Sequence, residues 1–449
     1  MGFISKKIKE YLRRGFLRNV ITLLTGTVLA QAILLLSTPI LTRIYSPEDF
    51  GLYGNFIAIC AIITIIVSLR YELAIVLPKS SREAKGIVIV SVFIATAITI
   101  SLLLIILLFG EYLASNFSWL NKEYLYLIPI YVFLTGMYQI LNYCFTRTKS
   151  FKPLAVSQSG RSLVTVAVQI LIGFFLLFGT YGLIIGQLIG QLFAVMLLVY
   201  YLIRYYNNWD LKSIEIVELK KLAVKYKDFP LYSSGNSFIN TLSMHIPVVI
   251  ITYYFSAAIA GFYMLAYRLV SLPMGLISNS ITQVFLQKIA SDKSNQRNNK
   301  SSYKLWTVLS PLSILINGII IFFAPWAFGL IFGSEWVVAG EYARWIAFWT
   351  LFQFVASPLS TISYAYNKQK LFFGFQVILL ILRVSALMIG GVYSSPILAI
   401  ALFSIVSGLF NLVTAGMYIY IEAGKKEAFI ATFVNLIIFI FFLWLIIVL

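Results

Sequence analysis

The sequence predicts an all-α protein that crosses a lipid bilayer many times, and three of its properties support this. Of its 449 residues, 60% are hydrophobic and only 11% are charged, and the mean hydropathy is +0.91. Water-soluble domains carry about 25% charged residues, so a soluble enzyme, a disordered chain and a fibrous repeat are excluded. Apolar runs of about 20 residues recur along the chain, which is the length of a bilayer-spanning helix. The runs are continuous rather than alternating, which argues against transmembrane strands.

Thirteen segments have the length and composition of membrane-spanning helices. They lie near residues 19–41, 51–77, 86–109, 124–146, 154–178, 181–203, 231–255, 258–286, 304–332, 340–366, 371–392, 395–421 and 429–449. A polar stretch separates the sixth segment from the seventh. The predicted fold class is therefore a polytopic membrane protein of about 12–13 transmembrane helices.

Positive charge is distributed unevenly between alternate connections of these segments. Of 34 Lys and Arg residues, 27 fall on the N-terminal stretch and the connections on its side, whereas the opposite connections hold only Arg43 and Lys122. Cytoplasmic loops carry such an excess, so the N-terminus is predicted to be cytoplasmic and residue 449 to lie outside. The net charge of +18 then faces anionic lipid headgroups. Membrane lipids are expected partners, and nucleic acid is not.

Residues 1–18 form a cytoplasmic segment with two explanations. Apolar side chains recur every fourth residue, with Lys and Arg between them, at Ile4, Ile8, Leu12 and Phe16. This spacing is typical of an amphipathic helix on the inner leaflet. A solvated basic tail fits equally well.

Two pairs of motifs predict an internal repeat. Residues 51–53 (GLY) resemble 261–263 (GFY), and residues 143–151 (YCFTRTKSF) resemble 364–372 (YAYNKQKLF) at an offset of 221. These motifs lie in the same order in each half, and six helices per half is an even number. We therefore expect two six-helix lobes related by a pseudo-twofold axis along the membrane normal.

The repeat divides the chain into five parts. They are the cytoplasmic segment 1–18, an N-lobe 19–203, a cytoplasmic linker 204–230, a C-lobe 231–421 and an additional span within 422–449. The linker is expected to contain a surface helix from Asp210. Two such lobes enclose a cavity that opens to each side in turn, which predicts a transporter. Gly182, Gly186 and Gly190 predict a close helix contact.

Five arginines and one acid fall within the spans: Arg70, Arg161, Arg268, Arg344, Arg383 and Glu72. Each charge is costly in hydrocarbon, so it requires a partner or a wet cavity. The formal excess of +4 predicts an anionic ligand, and the guanidinium fork suits phosphate oxygens. We therefore predict a cationic substrate site formed by Arg268, Arg383, Arg161 and Arg70. Hydrogen bonding between helices is the alternative for each. For Arg344 this alternative is the prediction, although the residue lies within about a turn of the outer face, close enough to snorkel.

Glu72 and His245 are the other polar candidates. Glu72 either pairs with an arginine of another span or titrates and couples transport to a proton. Arg70 is expected to be a poor partner, since residues two apart point to different helix faces. His245 precedes the helix-kinking Pro247, so it either packs by a hydrogen bond or contacts the cavity at a hinge. No cofactor is expected beyond a coupling ion, H⁺ or Na⁺.

Several kinds of chemistry lack the residues they need. Cys60, Cys144 and the single histidine cannot build a disulfide framework or a metal centre. No GxxxxGK[ST] motif occurs, so the chain does not hydrolyse ATP through a P-loop. The histidine has no neighbouring acid for a Ser-His-Asp triad, and the outer loops are too short for a glycan polymerase. The sequence therefore predicts a transporter rather than an enzyme.

Two stretches resemble a known family. Residues 38–78, beginning TPILTRIYSPEDFGLYGNFIAI, resemble the first two helices of Wzx-type polysaccharide flippases. Residues 261–290, GFYMLAYRLVSLPMGLISNSITQVFLQKIA, resemble their eighth helix. The similarity extends over essentially the whole chain. These flippases belong to the MOP superfamily, together with MATE drug exporters and lipid II flippases.

The resemblance implies a function and a location. Family members move undecaprenyl-pyrophosphate-linked oligosaccharides to the outer leaflet of the bacterial inner (plasma) membrane, among other polysaccharide-assembly proteins. Cationic residues at their lobe interface handle this substrate. Arg268 and Arg70 lie within the matched stretches, whereas Arg161 and Arg383 are supported by charge balance alone. The family core has twelve helices and lipid II flippases have fourteen, whereas this chain has thirteen predicted spans.

Three other functions are considered. A lipid II flippase has the same architecture. A MATE-type cation-coupled multidrug exporter would favour an acidic cavity, whereas this one is predicted to be basic. A glycosyltransferase or polymerase belongs to a different class and would incorporate labelled sugar.

Overall fold

A computed structural model describes residues 2–116, 122–176, 178–205, 215–230, 234–294 and 300–449, and every regular element in these ranges is helical. The α-helices are α1 (Gly2–Ile44), α2 (Pro47–Thr64), α3 (Ser81–Asn116), α4 (Lys122–Arg147), α5 (Phe151–Phe175), α6 (Thr180–Tyr205), α7 (Ile216–Lys225), α8 (Ser234–Tyr254), α9 (Ala257–Ser294), α10 (Ser301–Phe332), α11 (Val337–Leu359), α12 (Thr361–Ala365), α13 (Gln369–Val392), α14 (Pro396–Ala423) and α15 (Lys425–Val448). Two 3₁₀ helices cover Tyr71–Val76 and Ser334–Trp336.

The predicted fold class is confirmed, because each of the thirteen predicted segments contains most of a long helix. In the described ranges, eleven helices are long and apolar enough to cross a membrane. The other two long helices are α2 and α8. Helix α2 has only 18 residues, and the first half of α8 is rich in Ser, Asn and Thr. The protein is therefore a multi-pass membrane protein.

The segment predicted at 51–77 is not one continuous helix. Helix α2 ends at Thr64, and the backbone passes through Leu69 (φ 48°) and Arg70 (φ 62°) before the 3₁₀ helix begins at Tyr71. Two consecutive left-handed residues other than glycine are unusual, because the β-carbon opposes that conformation. Hydropathy averaged over the segment does not detect such a break, since long apolar runs flank the few polar residues at it.

By contact clustering the chain forms two compact units, of which the first comprises Met1–Tyr45 and Asn55–Thr241. In this unit α5 packs against α1 and α6. The predicted glycine contact is confirmed. A β-carbon added to Gly186 would lie 3.0 Å from the carbonyl oxygen of Thr165, and one added to Gly190 would lie 1.9 Å from the Thr165 Oγ1. These glycines let α6 approach the backbone of α5.

Helix α7, within the predicted linker, contacts the start of α3 through two ion pairs. In one pair the cation belongs to α3, and in the other it belongs to α7. Arg82 donates to Glu218 at 2.8 Å, and Lys225 donates to Glu83. The hydrogen bond from Lys225 to Glu83 raises the pKa of the lysine. The predicted start of this helix, Asp210, lies outside the described residues.

The second unit comprises Ser46–Gly54 and Leu242–Leu449. Helix α11 is its most buried helix, and it packs against α9, α10, α14 and α15. Phe439 of α15 contacts Phe348 and Phe352 of α11, and Trp306 of α10 donates to Asn435 at 3.2 Å. Helix α15, in the predicted additional span, is thus a packed part of this unit.

The internal repeat is visible in two backbone turns. The turn from α4 to α5 contains Lys149 (φ 56°) and the turn from α12 to α13 contains Asn367 (φ 57°). In each turn the next residue donates its amide to the carbonyl five positions earlier, at 2.9 and 2.8 Å, which is the Schellman arrangement. The two turns are offset by 218 residues, three fewer than the sequence match. The alignment of the two halves at these turns therefore follows the left-handed residue that ends each helix. It does not follow the aromatic residues and cations that match in the sequence.

The glycine motifs of the repeat contact each other directly. A β-carbon added to Gly51 would lie 1.7 Å from the carbonyl oxygen of Ala257, and one added to Gly261 would lie 1.8 Å from that of Pro47. Each glycine therefore faces the carbonyl four positions before the other. This reciprocal contact between α2 and α9 has the pseudo-twofold character that the repeat predicts.

The domain boundaries at 19–203, 204–230, 231–421 and 422–449 stay predictions. Residues 2–18 are the first part of α1, which continues without interruption to Ile44. Placement of residues 1–18 on the inner leaflet likewise stays a prediction.

Candidate functional site

Arg268 combines a position inside a membrane-spanning helix with an unoccupied guanidinium group. It lies on α9 and is half-buried. Its backbone carbonyl accepts from the Ser271 hydroxyl at 3.3 Å. The guanidinium makes no hydrogen bond or ion pair with any residue in the described part of the chain. It interacts electrostatically with Tyr53 of α2, and its five N–H donors make no hydrogen bond there.

Arg383 has a different environment, because protein atoms surround its guanidinium. The residue is 2% exposed. Its Nε donates to Ser407 and its Nη1 to Ser243, each at 2.8 Å. The guanidinium carbon lies 5.2 Å from the ring centre of Trp349 and 5.0 Å from that of Phe403. This geometry favours helix-to-helix bonding over substrate binding for Arg383.

An aromatic cluster connects the helix of Arg268 with the site of Arg383. Tyr267, next to Arg268, stacks on Trp349 with ring centres 6.4 Å apart. Trp349 is the same ring that lies against the Arg383 guanidinium. A change in packing at Arg383 would therefore reach α9 through two stacked rings.

Arg161 lies in the first unit and is partly engaged. Its Nη1 donates to Gln191 at 2.9 Å, and its guanidinium lies over the Tyr138 ring at 5.6 Å. Helices α5 and α6 approach each other closely at this point. A β-carbon added to Gly190 of α6 would lie only 2.9 Å from the carbonyl oxygen of Arg161 on α5. The residue is half-buried, and no hydrogen bond is described for its remaining donors.

Arg70 and Glu72 are paired, so the expectation that they are poor partners was wrong. Arg70 Nη1 lies 3.5 Å from Glu72 Oε1, and Ser68 donates to the other carboxylate oxygen at 2.5 Å. The expectation assumed an α-helix, but the left-handed Arg70 and the 3₁₀ helix bring both side chains to one side. Arg70 Nη2 also donates to Ser237 at 2.9 Å, and its Nε is buried without a partner.

His245 and Pro247 lie on α8. His245 is half-buried and its side chain has no hydrogen bond to the described residues. Pro247 is buried and lies inside a helix that continues past it to Tyr254. The hinge role of this pair stays a prediction.

Arg344 makes the helix-to-helix hydrogen bond that was predicted for it. Its Nε donates to the carbonyl of Ile321 at 3.0 Å. Pro325 lies four residues after Ile321 in α10 and lacks the amide hydrogen that would bond this carbonyl. Arg344 of α11 therefore satisfies an acceptor that a proline leaves open. In the sequence, the proline in the preceding span was the feature that could have indicated an open carbonyl acceptor for Arg344.

Arg147 has a role that sequence reasoning missed, because it was counted only as an inner cation. It donates to the carbonyls of Ile75, Pro78 and Ser80 at 3.1, 2.6 and 3.3 Å. These carbonyls belong to the end of the 3₁₀ helix and the loop after it. Arg147 thus fastens the segment that carries Glu72.

The described residues contain no group of three or more His, Cys, Asp or Glu side chains that could hold a metal ion. The four predicted arginines differ in what their guanidinium groups contact. Arg268 has an open guanidinium, Arg161 is partly engaged, Arg70 is paired with Glu72, and Arg383 is enclosed by protein atoms.

Three solved structures resemble this fold. A lipid II flippase MurJ in an inward closed conformation matches with a TM-score of 0.72 at 15% identity, over 94% of this chain and 92% of that one. An inward-facing multidrug resistance MATE family transporter of the MOP superfamily gives 0.63 at 15% identity, over 92% and 95%. A MOP superfamily transporter from Pyrococcus furiosus gives 0.59 at 14% identity, over 91% and 96%.

Comparison with curated protein sequences finds no significant match. The family model described as polysaccharide biosynthesis protein matches residues 40–341, which is more than half of the chain and includes both helices of the Gly51–Gly261 contact. The fold is that of the MOP superfamily transporters. The chain therefore belongs to the polysaccharide biosynthesis protein family.

Proposed function

We propose that this protein is a flippase that moves undecaprenyl-pyrophosphate-linked oligosaccharides from the inner to the outer leaflet of the bacterial inner membrane. The N-terminus is cytoplasmic in this proposal. The two lobes open to each side in turn, and the lipid tail stays in the bilayer. The protein is a transporter rather than an enzyme and works beside other polysaccharide-assembly proteins. Membership of the polysaccharide biosynthesis protein family supports a glycan as the transported group. The similarity of the fold to transporters supports transport as the activity.

The observation that carries the proposal is the unoccupied guanidinium of Arg268. A cation in a membrane span is stabilised only by a partner, water or an anion. The described residues provide no hydrogen bond or ion pair to this group. Pyrophosphate oxygens match the spacing of guanidinium donors and form charge-assisted bonds. Arg268 therefore binds the pyrophosphate.

A complementation experiment tests this function. The gene is deleted in its own bacterium and restored as wild type, Arg268→Ala or the matched control Arg43→Ala, which removes an exposed charge at the end of α1. Surface polysaccharide and lipid-linked repeat units on the inner leaflet are measured. We expect deletion and Arg268→Ala to lose surface glycan and accumulate repeat units, and Arg43→Ala to restore export. Export by Arg268→Ala would remove this residue from the mechanism, and export without the gene would contradict the flippase.

A lipid II flippase is the second candidate, because the structure of that protein matches this fold with a TM-score of 0.72. Rescue of cells depleted of their own lipid II flippase distinguishes the two. Growth of the depleted cells on this gene alone would favour lipid II over a polysaccharide repeat unit.

A further inference from the structure

A groove lies between the last turns of α9 and the first turns of α10. Its cavity is about 530 Å³, which is within the usual range for a small-molecule site. Its lining includes Val284, Phe285 and Lys288 of α9, and Lys304, Leu305 and Val308 of α10. Both helices belong to the second unit.

The groove changes from apolar to cationic along its length. On α9, Val284 lies one turn deeper than Lys288, and on α10, Val308 lies one turn deeper than Lys304. Val284 and Val308 are 70% and 65% exposed. Each wall therefore presents an ammonium group near the loop and an exposed apolar side chain toward the membrane interior. This polarity matches an amphiphile with an anionic head.

The two lysines have no ion pair with the described residues. Their neighbour Lys300 differs, because it donates to Glu427 at 2.5 Å. The ammonium groups of Lys288 and Lys304 are both exposed. Each is therefore able to bind an anionic group of a ligand.

The nearby carboxylates are already bonded to the start of α10. Glu422 accepts from the backbone amides of Ser301 and Ser302, each at 2.9 Å. Asp292 accepts from the Ser301 hydroxyl at 2.8 Å. These acids hold the loop end of the groove in shape, and in the described residues neither of them forms an ion pair with Lys288 or Lys304.

We propose that this groove binds one anionic glycerophospholipid of the surrounding bilayer. The phosphate and headgroup lie between Lys288 and Lys304, and an acyl chain lies against Val284, Phe285 and Val308. A cationic pair near a membrane surface attracts anionic headgroups, and the exposed valines are stabilised by contact with acyl chains rather than water. The site does not depend on the transported substrate.

Native mass spectrometry of the full chain, purified in detergent, tests the site. Dioleoyl-phosphatidylglycerol and dioleoyl-phosphatidylcholine are titrated separately, and the affinity of the first bound lipid is measured. The variants are Lys288→Gln with Lys304→Gln, the steric variant Val308→Trp, and the control Lys425→Gln with Lys426→Gln. The control removes two exposed lysines on a connection predicted to face the same side.

We expect the wild type to prefer phosphatidylglycerol and the Lys288/Lys304 variant to bind it about thirtyfold more weakly, from the usual contribution of a lysine near an anionic surface. Val308→Trp should weaken both lipids by filling the groove. The control should bind as the wild type does.

Three results would overturn the proposal. Equal wild-type affinity for both lipids would remove headgroup recognition. An equal loss in the Lys425/Lys426 control would indicate general surface charge. Unchanged binding by Val308→Trp would place the lipid elsewhere. Thermal unfolding of each variant in detergent confirms that it is folded, and a misfolded Val308→Trp is replaced by Val284→Trp.

Discussion

Arg383 and Arg268 differ in what their guanidinium groups contact. Arg383 bonds two serine hydroxyls and lies against two aromatic rings. No carboxylate in the described residues pairs with it. Removing one partner from such a buried arrangement leaves the other polar groups unsatisfied. Arg268 has no such hydrogen bonds, so its removal ends only the electrostatic interaction with Tyr53.

We predict that Arg383→Ala lowers the free energy of unfolding by about 3 kcal/mol, because a large buried side chain and its hydrogen bonds are lost. Arg268→Ala should change it by less than about 0.5 kcal/mol. Denaturant unfolding of both purified variants in the same detergent measures the difference. A stable, transport-deficient Arg383→Ala would instead assign Arg383 to the substrate site.

We predict that Glu72→Gln leaves the pH dependence of transport unchanged and lowers stability by about 1–3 kcal/mol, because a buried charge-assisted hydrogen bond is weakened. The carboxylate is 1% exposed and already bonds Ser68 and Arg70. Export assayed across pH, with Ser68→Ala as a variant that keeps the acid, measures this. A pH profile that flattens only in Glu72→Gln would support proton coupling.

The charges of the spans could be counted from the sequence, but their partners could not. Arg383 bonds Ser243, which lies 140 residues away, and no local pattern indicates such a contact. The pairing of Arg70 with Glu72 required two left-handed residues in a stretch that hydropathy assigns to a helix. Arg268 was correctly placed within a span, and its lack of a partner required the structure.

At the scale of elements, the closest backbone approach described here is the crossing of α2 and α9. Gly51 and Gly261 each leave no room for a β-carbon. By contrast, a β-carbon on Gly275, further along α9, would meet nothing within 4 Å. The same substitution therefore has opposite consequences at two places on one helix.

We predict that Gly51→Ala and Gly261→Ala each destabilise the protein by at least about 1–3 kcal/mol, the usual cost of overpacking. Gly275→Ala should be neutral or slightly stabilising, because alanine favours helix. Thermal unfolding and the amount of folded protein in the membrane measure all three. Equal stability of Gly261→Ala and Gly275→Ala would contradict the contact.

The positions of the long helices could be predicted because bilayer-spanning runs are long and apolar. Their interruptions could not. The break after Thr64 falls beside an apolar run, and the separation of α12 from α11 at Ser360 falls in a stretch, SPLSTIS, that hydropathy alone assigns to the same span. The repeat was detected, but its register at the turn before α5 was three residues out, because backbone conformation rather than side-chain similarity sets it.

At the scale of the whole molecule, the number of spans and the charge bias of the sequence together predict a topology. Thirteen predicted spans with a predicted cytoplasmic N-terminus would put residue 449 outside. The two native cysteines are not expected to react with a thiol-labelling reagent, because Cys60 is 0% and Cys144 is 1% exposed.

We predict that a membrane-impermeant maleimide labels Ser115→Cys and Leu449→Cys in right-side-out vesicles, and Lys426→Cys only in inverted vesicles. All three positions are exposed, and the positive-inside rule places only Lys426 in the cytoplasm. Wild type is the unlabelled control. Labelling of Leu449→Cys only in inverted vesicles would mean that the chain crosses the membrane an even number of times.

The reciprocal contact of Gly51 with Gly261 also bears on how such a chain arises by duplication. In a homodimer of one ancestral half, the two equivalent glycines would meet across a true twofold axis, because an isologous interface pairs a patch with itself. One codon would then have served both sides of the contact. After fusion the same contact depends on two codons, and selection must preserve glycine at each of them separately.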